Sequence, residues 1–90
     1  MVHVILTHDV KDAAEWRTHF DSDETNRSNA GIKVHGVYTA ADNPNRVTIM
    51  TEFPNMEVLN GFMNNPDLKA AMEKGGVISA PEIKVLHEMK

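Results

Sequence analysis

Along the first third of the chain the hydrophobic period changes once, from two to about three and a half. Residues 2–8 (Val-His-Val-Ile-Leu-Thr-His) alternate and are rich in β-branched types, which predicts a strand. Asp9 follows in an N-cap position, with Asp12 in the first turn where the helix dipole favours a carboxylate. Ala13, Trp16 and Phe20 then recur at spacings of three and four, a helical signature. From Asp21 to Asn29 the chain is almost wholly polar, so the second half of this helix carries little apolar anchorage. It is expected to end near Ala30-Gly31, where glycine suits the C′ position.

Two further alternating runs, 32–40 and 46–53, flank Asp42-Asn43-Pro44-Asn45, which predicts a β-hairpin. Phe53-Pro54-Asn55 closes the third strand and caps a second helix, whose Val58, Leu59, Phe62 and Met63 share a face. Asn65-Pro66 interrupts that helix. A continuation with Leu68, Ala71 and Met72 inward ends at Gly75-Gly76, and Pro81 opens a last strand over 82–88. The order βαββαβ predicts an α+β, ferredoxin-like domain over residues 1–90: a four-stranded antiparallel sheet in spatial order 4-1-3-2, with both helices on one face.

Parity divides each strand between two faces. Val2, Val4, Leu6, Ile32, Val34, Gly36, Tyr38, Val47, Ile49, Thr51, Phe53, Ile83 and Val85 form a nearly apolar set assigned to the helices. The other set is mixed: His3, Ile5, Thr7, Lys33, His35, Val37, Thr39, Thr48, Met50, Glu52, Lys84 and Leu86. Its Ile5, Val37, Met50 and Leu86 would leave an apolar patch bare on a monomer, which marks an interaction or ligand surface. If Ala41 and Arg46 close a four-residue loop, His35 stands opposite Glu52, with Cβ atoms about 4.5–5.5 Å apart. Taking strands 1 and 3 as parallel puts His3 at the far end of the face, on the order of 15 Å from His35.

Composition narrows the function by exclusion. A domain of 90 residues buries only about 60–65% of the surface its unfolded chain exposes. With no cysteine, disulfides and thiolate metal sites are excluded, which leaves self-association as the remaining source of added stability. The net charge of −4, with scattered Lys and Arg, argues against a nucleic-acid partner. No apolar run approaches a membrane span, and the first residues lack the basic stretch and cleavage site of a signal peptide, so a cytoplasmic protein is expected.

The βαββαβ order, the bare sheet face and the run from Phe53 through Asn65-Pro66-Asp67-Leu68 resemble the dimeric α/β-barrel superfamily. The resemblance covers the whole chain and rests on architecture. It implies a homodimer in which two sheets pair face to face around a cavity, and a small-molecule ligand. Members include polyketide cyclases, cofactor-free monooxygenases of antibiotic biosynthesis, muconolactone isomerases and haem-degrading enzymes. His3 is similar to a first-strand histidine of some plant cyclase members. Those members carry His-Pro-x-His where this chain has Asn65-Pro66-Asp67-Leu68, so the second catalytic histidine is missing. Haem-degrading members place a ligand histidine on the second helix; residues 56–74 contain none, so haem is not expected. Monooxygenase members use Asn and Trp in their pocket, and the single tryptophan here, Trp16, lies on the first helix.

The leading expectation is a cofactor-independent, metal-free acid–base enzyme acting on a small apolar carbonyl or aromatic compound. His35 would move the proton, Glu52 would orient it, His3 would hold or polarise the ligand, and Ile5, Val37, Met50 and Leu86 would line the pocket. The alternatives are a non-catalytic binding or assembly module, and a cofactor-free monooxygenase. His8 and His87 have helix-side parity at strand ends, where packing or exposure explains them. His19, four residues after Glu15, reads as a solvated helix pair, and Gly75-Gly76 as a turn rather than a phosphate loop.

Overall fold

The computed structural model describes residues 2–89, with Asp67 described by its backbone alone; Met1 and Lys90, the ends of the domain expected over 1–90, lie outside the described residues. Strands β1 (Val2–Asp9), β2 (Lys33–Ala40), β3 (Asn43–Phe53) and β4 (Glu82–Leu86) form one sheet in the order β2-β3-β1-β4. Helices α1 (Ala13–Ser22) and α2 (Glu24–Asn29) connect β1 to β2, and α3 (Met56–Met63) and α4 (Pro66–Lys74) connect β3 to β4. All three pairings in the sheet are antiparallel.

Local chemistry explains where the elements begin and end. Asp12, not Asp9, is the cap of α1: its side chain accepts from the Glu15 N–H at 3.0 Å. Asp9 stays in β1, where its Oδ1 accepts from Arg46 Nε at 3.0 Å. Asn55 caps α3 by accepting from the Val58 N–H at 2.8 Å, as the Phe53-Pro54-Asn55 run predicts. The end of α2 is a Schellman motif: Ile32 N–H donates to the Arg27 carbonyl and Gly31 N–H to the Ser28 carbonyl. Gly31 sits at φ 77°, a conformation that costs other residues about 1–2 kcal/mol.

Both helical segments cover the same face of the sheet. Val2, Val4, Ile32, Phe53 and Leu59 form one buried cluster, with Val58, Phe62, Met63 and Ile83 packed around it. A second cluster joins Val10, Trp16, Val47 and Ile49, with Leu6, Ala13, Phe20, Val37 and Val77 beside it. Among the described residues the opposite face carries no helix.

Three expectations about the strands are corrected. The connection from β2 to β3 is a two-residue turn at Ala41-Asp42, because Ala40 pairs with Asn43. Val34 pairs with Thr51 and Gly36 with Met50, so His35 is the extra residue of a β-bulge. The bulge reverses the parity of the rest of β2. Val37 and Thr39, expected on the bare face, pair with Ile49 and Val47 on the helix side, and Val37 packs in the core. Gly36 and Tyr38 move the other way. A Cβ on Gly36 would lie 2.5 Å from the Tyr38 ring, so the ring lies across the glycine on the open face.

Strands β1 and β3 are antiparallel, not parallel, with His3 directly opposite Glu52. This follows from the chain path: the first crossover makes β2 parallel to β1, and the hairpin then reverses β3.

Candidate functional site

The structure builds two polar constellations, one on each side of the sheet. On the open face the pairs His3–Glu52, Ile5–Met50 and Thr7–Thr48 form three rows across β1 and β3. Leu86, Lys84 and Glu82 extend these rows on β4. Glu52 Oε1 stands 3.8 Å from His3 Nε2 and 3.7 Å from His35 Nε2. Two of the three expected catalytic residues, His3 and His35, thus stand beside one carboxylate oxygen of the third, and the expected separation of His3 from His35 does not hold. The bulge is what swings His35 over Glu52, since Lys33 is the residue directly opposite it. The carboxylate is the most sheltered of the three, its side chain 15% exposed against 34% for His3 and 52% for His35. Thr7 and Thr48 share a hydroxyl hydrogen bond of 2.9 Å at the other end of the face. Of the expected lining residues, Ile5, Met50 and Leu86 lie on this face and Val37 does not. Met50, Leu86 and Tyr38 are exposed there.

The cavity lies on the helix side. A half-open cleft of about 460 Å³ lies between the sheet and the four helices, within the range of small-molecule sites. Val4, Leu6, Ile49 and Phe53 form its floor, and Phe62, Met63, Leu68 and Met72 line it from the second pair of helices. His19, Ser22, Asp23 and Lys74 also line it.

Two buried polar side chains open into this apolar space. His8, the last inward position of β1, is 4% exposed, and neither ring nitrogen has a hydrogen-bond partner. Its ring meets Trp16 edge-on at 5.5 Å. Burial lowers its pKa from the ordinary value, only partly offset by Asp9, so the imidazole is neutral at pH 7. Arg27, on α2, is 8% exposed, and its Nε–H is also without a partner. Among the described residues no carboxylate lies within ion-pair distance of it. Its guanidinium lies 3.8 Å from the Phe20 ring centroid, and Phe20 stacks on Trp16 at 4.9 Å. Burial lowers the Arg27 pKa from its ordinary value against the pull of Asp23, Glu24 and Asp21, with Arg17 adding to the lowering. A guanidinium stays charged throughout. His8, Trp16, Phe20 and Arg27 therefore form a continuous row along the cavity wall, with a neutral imidazole at one end and a cation at the other.

Sequence reasoning assigned His8 to packing or exposure and did not single out Arg27. His8 shares the parity of Val2, Val4 and Leu6, so a titratable side chain on the core face was the available signal. Arg27 follows Phe20 by seven residues, two helical turns, which puts it on the apolar face of a stretch that otherwise looks solvated.

The imidazole can accept a proton from, or hydrogen-bond to, a ligand group in a site of low dielectric. The cation can meet a negative one. Among the described residues no group of three or more His, Asp or Glu is arranged to hold a metal ion, and no helix is long and apolar enough to cross a membrane.

The sequence matches no protein-family model and no curated protein. Solved structures do match. A candidate antibiotic biosynthesis monooxygenase from Caulobacter crescentus CB15 superposes with a TM-score of 0.78 at 19% identity, over 99% of this chain and 90% of that one. A conserved protein from Methanosarcina mazei Go1 gives 0.76 at 18% identity, over 98% and 92%. A further structure, an antibiotic biosynthesis monooxygenase, gives 0.75 at 9% identity over the whole of both chains. At these identities the likeness is one of fold: the chain shares the ferredoxin-like α+β fold of these structures.

Proposed function

We propose that this chain is a small-ligand enzyme whose reaction takes place in the cavity between helices and sheet, with His8 as general base. The observation that carries this reading is a buried, neutral imidazole, unpartnered at both nitrogens, facing an apolar cavity of about 460 Å³. Buried polar groups are nearly always hydrogen-bonded, and an unpaired one costs about 1–3 kcal/mol. A ligand that supplies the missing partner recovers that cost. Neutral His8 takes the proton of an acidic O–H or C–H on a planar phenol or ketone, while Trp16 and Phe20 offer aromatic surface to its ring. The likeness to structures described as monooxygenases supports oxidation of the resulting phenolate by molecular oxygen, one oxygen atom bonding to a ring carbon and the other leaving as water, so that phenol and oxygen give quinone and water, read as oxygen uptake.

Binding tests the reading before any substrate is known. On titration with 2-naphthol, the Trp16 indole N–H and His8 ring NMR signals are expected to shift together, with His3 and His35 unmoved. No shift of Trp16 and His8 at millimolar probe would sink the cavity reading.

A second reading rests on the shared carboxylate of the open face. His35 and His3 beside Glu52, with Ile5, Met50 and Leu86 around them, would form an acid–base site closed by a second copy of the chain. The exposed Met50, Leu86 and Tyr38 favour self-association through this face. For this reading His35→Ala is expected to abolish turnover while leaving the melting temperature and the dimer, measured by light scattering, near wild type. Full turnover in His35→Ala would remove the open face from the chemistry.

A further inference from the structure

We infer that the ligand of the helix-side cavity is a planar aromatic carboxylate, held by Arg27 through its charge and by Trp16 and Phe20 through its ring. The inference rests on the cavity reading above and goes beyond it, since that reading needs only a proton for His8 to take. Arg27 is a buried cation with no ion pair among the described residues, and its Nε–H is unpartnered. A charge in that position is strongly disfavoured unless something compensates it. The Phe20 face at 3.8 Å supplies part of the compensation. Asp21, Asp23 and Glu24 act on it only from beyond ion-pair distance. The remainder is open to a ligand, because Arg27 lines the cavity.

The shape and charge of the site select among anions. The lining cations Arg27 and Lys74 are offset by Asp23, so a largely apolar wall of net charge about +1 matches a monoanion, whereas a phosphate dianion would bring a second negative charge beside Asp23. Arg27 already stacks on Phe20, and Phe20 on Trp16. A flat ligand lying along this row places its carboxylate at Arg27 and its ring against the aromatic wall. Its opposite edge then points toward His8. The row thus fixes direction as well as affinity: the acidic O–H or C–H that reacts belongs at the end of the molecule away from the carboxylate.

The test compares 2-naphthoate with its uncharged isostere 2-naphthamide, following the indole N–H of Trp16, the chain's single tryptophan. Wild type is expected to bind the carboxylate about 10- to 100-fold more tightly, the range of a charge-assisted hydrogen bond. Arg27→Met keeps the length and the apolar contact with Phe20; it should bring the preference close to one while leaving amide binding nearly unchanged. Arg27→Lys, which keeps the charge, should retain part of the preference and serves where Arg27→Met does not fold. Equal binding of the two probes by wild type would overturn the anion inference and leave the cavity reading standing. So would a preference that survives in Arg27→Met. Binding of neither probe would overturn both.

Discussion

Trp16→Ala is expected to lower the unfolding free energy by about 3–5 kcal/mol, the usual cost of deleting a large buried ring. The melting temperature should fall by at least about 12 °C, since each kcal/mol shifts a domain of this size by roughly 4–8 °C. Three contacts go at once: the edge of His8, the stacked face of Phe20 and the buried cluster with Val10, Val47 and Ile49. One side of the ring borders the cavity rather than packed atoms, which puts the loss toward the lower end. Urea unfolding measures it directly. A loss under about 1 kcal/mol, well below what such a deletion costs in a packed core, would mean that α1 is held to the sheet by something other than this ring.

His8→Leu should show two effects of opposite sense. On any phenol or ketone that wild type turns over, kcat is expected to drop by at least about 100-fold, the contribution of a positioned base. Stability in acid should improve. Burial holds the folded His8 pKa below its ordinary value of 6.5, so the unfolded chain takes up this proton first. The native state of wild type therefore has its full His8-linked stability above about pH 6.5 and loses it as pH falls from there toward the folded value. Leucine does not titrate, so the melting temperature of His8→Leu relative to wild type should rise between pH 7.5 and 5.5. An unchanged difference would mean that His8 charges freely in the folded protein.

Much of the fold is legible in the residues. Ala13-Trp16-Phe20, the Asn55 cap, the Asn65-Pro66 break and the glycine after Ala30 place the helices and their ends, and the βαββαβ order determines the strand order. The site is harder to read, for two physical reasons. Strict alternation assumes that every residue of β2 pairs, and the bulge at His35 adds one that does not; Gly36, a glycine inside a strand, was the local hint. The distance between His3 and His35 depends on the relative direction of β1 and β3, which only the whole chain path determines. With both corrected, two groups expected to be far apart meet on Glu52. The missed pair, His8 and Arg27, are polar residues on apolar faces. A pattern sorted by hydrophobicity treats them as exceptions, whereas the cavity gives them a common purpose.

The bulge at His35 also bears on how this sheet can change over generations. Substitutions alter one position of one face. Removing His35 would leave Val34 on Thr51 and Gly36 on Met50, so this stretch of the ladder would alternate regularly while Val37 and Thr39 keep the helix side and Gly36 and Tyr38 the open face. The bulge is thus where a lineage with this architecture gains or loses one residue, and with it the side chain over Glu52, without turning over the rest of the strand, and relatives should differ here by length more sharply than by residue type.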